Sequence, residues 1–356
     1  MRRTAVRSLP IDEWPAADRA KWELACRPGV RLKRGGRASH LKPITRDDLA
    51  RRYGYFFDFL VRARLLDLNA VAGAHVTLIN VDAFVAELRH RVGSVTLHGS
   101  IHKLRQAARL IEPERDLAWL RQIESDLRLT KKPRSKYDQL VLAEVLVEAG
   151  LALMAEADAA VHLTKLSRAR QFRNGLMIAL LACCPIRLKN FAALTIGRSL
   201  VENAGDWWIV LDASETKEGR PDERPVPELL AESIRCYLSE YRPALGSSPN
   251  RSKAFWLSSR AGKPMTYATV EHAVIRTTQA TLGIAVSPHL FRTSAATSAA
   301  MHAGATPHLA SALLNHREPA VTQEHYNRAS AMSAGKAYLE VIERYKDPLK
   351  AVPRDI

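Results

Sequence analysis

Apolar residues recur at helical spacing along most of this chain. Leu49, Tyr53, Phe56, Phe57, Leu60 and Ala63 step by threes and fours, which places them on one face of a helix opening near Pro43. Comparable patterns run over 76–91, 97–110 and 117–127, so the spacing predicts a compact four-helix unit with Arg and Lys on its polar faces. The stretch RLTKKPRSKYD (128–138) breaks the pattern: it is cationic, holds Pro133 and has little apolar content, and reads as a linker. Helical character returns over 139–155 and 173–184, and then the texture changes. DWWIVLDASETKEGRPDERPVP (206–227) has a β-rich run, a turn containing Gly219 and Pro221, and a second short extended run, which predicts a hairpin or small sheet. Helical spacing resumes over 228–238, 266–282, 289–303, 307–315, 319–329 and 334–345. No internal repeat or low-complexity segment interrupts it. The expected fold is mainly α with a small antiparallel β-sheet, an α+β domain preceded by a small all-helical one.

Length and charge narrow the partners. A chain of 356 residues exceeds the size of one ordinary core, which fits two domains. Its 53 Lys and Arg against 37 Asp and Glu leave a net charge of +16, which favours an extended polyanion: nucleic acid or an anionic membrane surface. No apolar run approaches the ~18 residues of a spanning helix. The N-terminus, MRRTAVRSLPIDEWPAAD, lacks the apolar core of a secretory signal. The membrane reading therefore loses ground, and a cytoplasmic protein is expected. Cys26, Cys183, Cys184 and Cys236 lack the C-x-x-C spacing of a zinc site, so neither a disulfide nor a metal nor another cofactor is expected. Residues 1–42 carry a basic run at Arg31, Lys33, Arg34 and Arg37 and read as a loosely ordered arm. Whether that arm touches nucleic acid or is a solvated tail stays open, and Lys131, Lys132, Arg134 and Lys136 of the linker are further candidates for phosphate contact.

The sharpest local signal is SPHLFRTSAAT (287–297). Ser287 suits an N-cap and Pro288 the first helical position, so His289 opens a helix with Arg292 three residues on, on the same face. Two cationic donors then meet free backbone N–H groups at the positive end of a helix, where a phosphate is well held. A surface capping role satisfies the same residues. In LLNHREPAVTQEHYNRA (313–329), Asn315 can end a helix in the left-handed conformation, leaving His316 just beyond it, and Pro319 can open the next, which presents Tyr326. In ALLACCPIRLKNFAALTIG (179–197), Arg187 follows the Pro185 break among Cys183, Cys184, Ile186, Leu188 and Phe191. A charge in such company is costly unless an anion or an internal carboxylate meets it, and the two stand about even. Lys217 falls in the predicted hairpin turn, where solvation alone would account for it.

Taken in order, Arg187, Lys217, His289, Arg292, His316 and Tyr326 resemble the catalytic signature of the tyrosine recombinase (phage integrase) family. The likeness covers roughly residues 136–346; before it, the helical unit is similar to the family's core-binding domain in layout only. The resemblance implies a site-specific recombinase, the integrase of a mobile element, that cuts and rejoins double-stranded DNA at inverted half-sites as a tetramer. It implies attack by Tyr326 to form a 3′-phosphotyrosine, His289 as base, Arg187 and Arg292 as forked phosphate donors, His316 as a further donor and Lys217 as acid for the leaving 5′ oxygen. It also implies nucleoid association and a layout of arm (1–42), DNA-binding domain (43–127), linker (128–137), catalytic domain (138–347) closed by a helix over 334–347, and tail (348–356). A non-cleaving DNA-binding protein on the same fold and a type IB topoisomerase-like enzyme are the competing readings. Departures are Pro185 where Gly is common, Asn190 where an acid is common, Asn315 for Gly before the second histidine, and one extra residue between His316 and Tyr326.

Overall fold

The computed structural model describes residues 7–31, 34–133, 137–216, 219–246, 252–260 and 262–302. The chain divides into two compact units, Met1–Ser135 and Lys136–Ile356.

The first unit holds α1 (Ala16–Cys26), α2 (Pro43–Arg62), α3 (Leu78–Arg91), α4 (Ser94–Ile111) and α5 (Ala118–Leu129). Its core is built on the apolar face the spacing marks on α2: Leu49, Tyr53, Phe56, Phe57 and Leu60 are all buried. The N-terminal stretch corrects the expectation of a loosely ordered arm. Leu9, Trp14 and Trp22 belong to this core, and Trp14 packs edge-on against Trp22, Tyr53 and Phe57 at ring distances of 5.9, 5.2 and 5.5 Å. Gly54 makes the approach possible, because a Cβ there would sit 2.4 Å from the Leu9 carbonyl oxygen; instead the Leu9 N–H donates to the Gly54 carbonyl at 3.0 Å. A segment rich in charge is thus held by two tryptophans whose burial outweighs the cost of ordering it.

The second unit is organised around α7 (Lys165–Cys183). Every residue from Leu176 to Ala182 is buried, so this helix has no solvent face there and acts as the central element. Against it lies α6 (Ala143–Ala159), and the two backbones touch at Gly150 and Gly175, where a Cβ on either would meet the other's main chain at 2.7 Å. Next come the short α8 (Leu188–Ala192) and a three-stranded antiparallel sheet of β1 (Leu200–Asn203), β2 (Asp206–Leu211) and β3 (Asp222–Pro225), in the order β1-β2-β3. The second and third strands are the expected hairpin. The first strand lay outside that expectation, since LVEN is too short and too mixed to stand out without its partner; it pairs Leu200 with Ile209 and Val201 with Trp208. Beyond the sheet, α9 (Ala231–Cys236) runs through a π-helical turn at Tyr237–Tyr241 into α10 (Arg242–Ala244). Then follow α11 (Tyr267–Leu282), capped by the Thr266 hydroxyl, and α12 (Pro288–His302). Among the described residues no helix is long and apolar enough to cross a membrane. All four cysteines are free.

Candidate active site

Three of the six candidate residues fall among the described ones, all in the second unit. Arg187 stands at the N-cap of α8, in extended conformation (φ −65°, ψ 137°), immediately after the break between α7 and α8. The break has a simple cause. Pro185 has no N–H to continue the α7 ladder, so α7 closes with the Cys184 N–H on the Leu180 carbonyl at 2.8 Å. The chain restarts with the Asn190 and Phe191 N–H groups on the Arg187 carbonyl at 2.8 and 3.0 Å. The indole of buried Trp256 donates to the Phe191 carbonyl at 2.9 Å and ties α8 down. Arg187 is half-buried on this rigid corner.

Arg292 and His289 come from α12, which opens at Pro288 as the sequence predicts. Its run of Ser, Thr and Ala (Ser294–Ser298) lets the helix sink into the unit, and all five of those residues are buried. Arg292 goes in with them, to 7% exposure, and its guanidinium donates to the carbonyl of Pro185, two residues before Arg187. His289, one turn earlier, remains exposed at the helix opening. The two residues therefore share a helix end but not an environment: the arginine is fixed and dry, the histidine wet. Burial, then the like charges of Arg187 and Arg224, push the Arg292 guanidinium down to about 10, and Asp222 opposes them. Arg187, Arg224 and Asp222 therefore all act on Arg292.

Arg224 and Asp222 were not singled out by sequence. Both sit on β3, two residues apart and hence on one face, opposite Ile209 and Leu211 of β2. Arg224 is 8% exposed and grips both carboxylate oxygens of Asp222, Nε to Oδ1 at 2.8 Å and Nη2 to Oδ2 at 2.9 Å. The next residue, Pro225, accepts a long contact from the Cys184 thiol at 3.7 Å. Burial drives that thiol up to about 12, so it stays protonated and inert. The signal was present as D-E-R in a short extended run, where alternation puts Asp and Arg on the same face as the core.

Lys217, His316 and Tyr326 lie outside the described residues, as does the expected closing helix over 334–347. The ends of the turn that carries Lys217 are described. The buried Thr216 hydroxyl donates to the Arg220 carbonyl at 2.7 Å and accepts from the Arg220 N–H at 3.1 Å, so the turn between β2 and β3 is closed at its base.

What the described part can do follows from its donors. Two guanidiniums from different elements, one joined to the other's loop, offer planar forks to an anion with several oxygens, as a phosphodiester has.

No family model matches the chain, and no curated protein matches it. Among solved structures it is similar to XerA recombinase (15% identity over 85% of this chain and 94% of that one, TM-score 0.39). It is also similar to XerH site-specific recombinase bound to difH substrate in a pre-cleavage complex (13% identity, 82% and 78% covered, TM-score 0.49). A third is a lambda integrase (75-356) dimer bound to a COC′ core site (14% identity, 82% and 90% covered, TM-score 0.48). Likeness at this level assigns no chemistry to the residues of this chain.

Proposed function

We propose that this chain is a tyrosine recombinase that cuts and rejoins double-stranded DNA through a covalent 3′-phosphotyrosine on Tyr326, as the integrase of a mobile element. The observation that carries the reading is that Arg292 is bonded into the loop that ends at Arg187. Arg187 caps α8, and Arg292 donates from the buried face of α12 into the loop that leads to Arg187. Two arginines far apart in sequence are brought to one corner, with His289 at the opening of the same helix.

Each role answers a need of phosphodiester exchange. Arg187 and Arg292 bind the non-bridging oxygens and neutralise charge that grows as the phosphorane forms. A phenol, with an ordinary pKa of ~10, attacks slowly unless a base takes its proton, and His289 is that base. His316 adds a hydrogen bond to the same phosphate, and Lys217, on the turn between β2 and β3, gives its proton to the departing 5′ oxygen. The ester on Tyr326 keeps the energy of the broken bond, so rejoining needs no nucleotide. Binding to inverted half-sites as a tetramer would place four such sites around one pair of DNA duplexes, and the surplus of +16 suits that partner.

The test is covalent capture. The purified protein is incubated, in excess EDTA, with nicked DNA fragments drawn from the flanks of its own gene, and the mixture is denatured in detergent. Protein that remains attached to DNA supports the reading. Cleavage that appears only with added Mg²⁺ or Mn²⁺ would point to a metal-dependent nuclease or transposase, and tight binding with no adduct to a non-cleaving DNA-binding protein.

A further inference from the structure

Arg173, in the middle of α7, is a buried charge with neutral partners. At 4% exposure its Nη1 donates to the Leu257 carbonyl at 2.7 Å, and its Nε and Nη2 both donate to the side-chain oxygen of Asn174, at 3.1 and 2.8 Å. Neither partner carries charge, and a carbonyl and an amide offset only part of what it costs to take a cation out of water. Burial holds the Arg173 guanidinium below the ordinary arginine range; Tyr237 opposes that shift and the charge of Arg170, one turn earlier, adds to it. Packing alone gives no reason to bury a charge beside a second one of the same sign.

The surroundings supply one. Arg173 lines a groove between α7 and α11 with a volume of about 660 Å³, the size of a ligand site. Arg170 lines it from α7, and His272 and Arg276, one turn apart, line it from α11; these three are exposed. The Asn174 amide donates to the Thr277 hydroxyl at 3.1 Å and ties the two helices together along it. Among the described residues that line the groove there is neither a carboxylate nor an aromatic ring. The rest of the lining is mainly hydroxyls and amides, with Leu153 and Met265 among the apolar residues. Such a lining has nothing to stack on a nucleobase and nothing to hold a cation, but it has guanidinium forks from two helices, which suit tetrahedral oxyanions. The groove is also apart from the corner of Arg187: from Arg173 to Cys183, where α7 ends, is about 15 Å of helix, too far for one phosphate to span.

We propose that the groove between α7 and α11 is a second anion site of this unit, one that takes a ligand with two or more phosphate groups. Arg173 is its fixed donor, oriented in advance by Leu257 and Asn174. Arg170 and Arg276 meet the ligand from the two helices, and His272 adds a ring N–H. No bond is made or broken there, so the site stands independently of the recombinase reading.

The probe is inorganic tripolyphosphate, titrated calorimetrically into the full chain at fixed ionic strength. Arg170→Ala/Arg276→Ala removes two exposed side chains and leaves buried Arg173 in place. Its affinity should fall about 10²-fold, roughly tenfold for each lost charged hydrogen bond. Arg89→Ala/Arg121→Ala, exposed in the first unit, removes the same charge and should bind as wild type does. Equal affinity of wild type and the groove variant, a loss that the first-unit variant shares, or no binding of tripolyphosphate by wild type overturns the proposal. Arg187→Gln reports on the other corner: binding that this variant abolishes and the groove variant keeps belongs there, and overturns it too. A DNA duplex of about 20 base pairs then separates the sources of phosphate, since a backbone held in the groove makes the salt dependence shallower in the groove variant by about 1.8, two contacts at ~0.9 each. An unchanged slope beside lost tripolyphosphate binding assigns the site to a soluble oligophosphate. Covalent capture on nicked DNA judges the recombinase reading separately, whichever way the titration falls.

Discussion

Arg292 shows how much a single residue can be asked to do in a dry corner. The residue is 7% exposed, its guanidinium donates to the Pro185 carbonyl, and the charges of Arg187 and Arg224 act on it. A lysine there keeps the charge but has no planar fork, so it cannot reach the carbonyl and two phosphate oxygens together. Arg292→Lys should therefore slow single-turnover cleavage about 10²–10³-fold, the usual cost of one lost transition-state donor, while half-site affinity changes little. Gel-resolved cleavage beside equilibrium binding checks this, and a lysine variant that cleaves at the wild-type rate would remove Arg292 from the phosphate. Arg292 and Arg187 were legible in the sequence because each sits beside a helix start or break that proline marks. Arg224 and Asp222 were not, because alternation on a four-residue strand is too short a pattern to distinguish a buried charge from a surface one.

Among the elements, the N-terminal segment carries the clearest consequence. Composition reads it as an arm, since its basic residues outnumber the few large apolar ones, but Leu9, Trp14 and Trp22 are buried in the first unit. A short helix that carries only Trp22, with Leu9 and Trp14 on the chain before it, gives no long period to recognise, so the packing becomes visible only once α2 presents Tyr53 and Phe57 opposite. Trp14→Ala should destabilise the first unit by about 3–5 kcal/mol, as for other large core deletions. Removal of residues 1–26 should cost the unit its cooperative unfolding. Thermal melts monitored by tryptophan fluorescence check both, and a truncated protein that melts like the full chain would show the segment to be dispensable. His75 adds a pH dependence to the same unit. It is 5% exposed, its Nε2 accepts from the Asp67 N–H at 3.0 Å, and burial holds its pKa below the ordinary 6.5, against the pull of Asp18 and Asp67. A depressed histidine contributes stability that is complete above 6.5 and is lost as pH falls toward its folded value. Buried Asp18 is shifted the other way, raised by burial, so its contribution has the opposite sign and is lost as pH rises through its folded value. Urea midpoints for the first unit should thus decline from about pH 7 to pH 5, and His75→Gln should flatten that decline.

For the molecule as a whole, the architecture of a helical unit followed by a helical unit with a three-stranded sheet was legible from the change of period near 206–227 and the charged break near 128–138. The proposed chemistry was read from an order of residue types, of which the described structure brings Arg187 and Arg292 to one place and sets His289 at the opening of the same helix as Arg292. The nucleophile is where the account is most exposed, because everything said of bond exchange turns on Tyr326. Its most direct measurement is to capture the protein on nicked DNA, digest it, and identify by mass spectrometry which residue bears nucleotide and through which end. The account predicts a phosphodiester between the Tyr326 phenol oxygen and a 3′ phosphate, and no adduct from Tyr326→Phe. Attachment at Tyr338 or Tyr345, linkage to a 5′ end, or an adduct that survives Tyr326→Phe would contradict it.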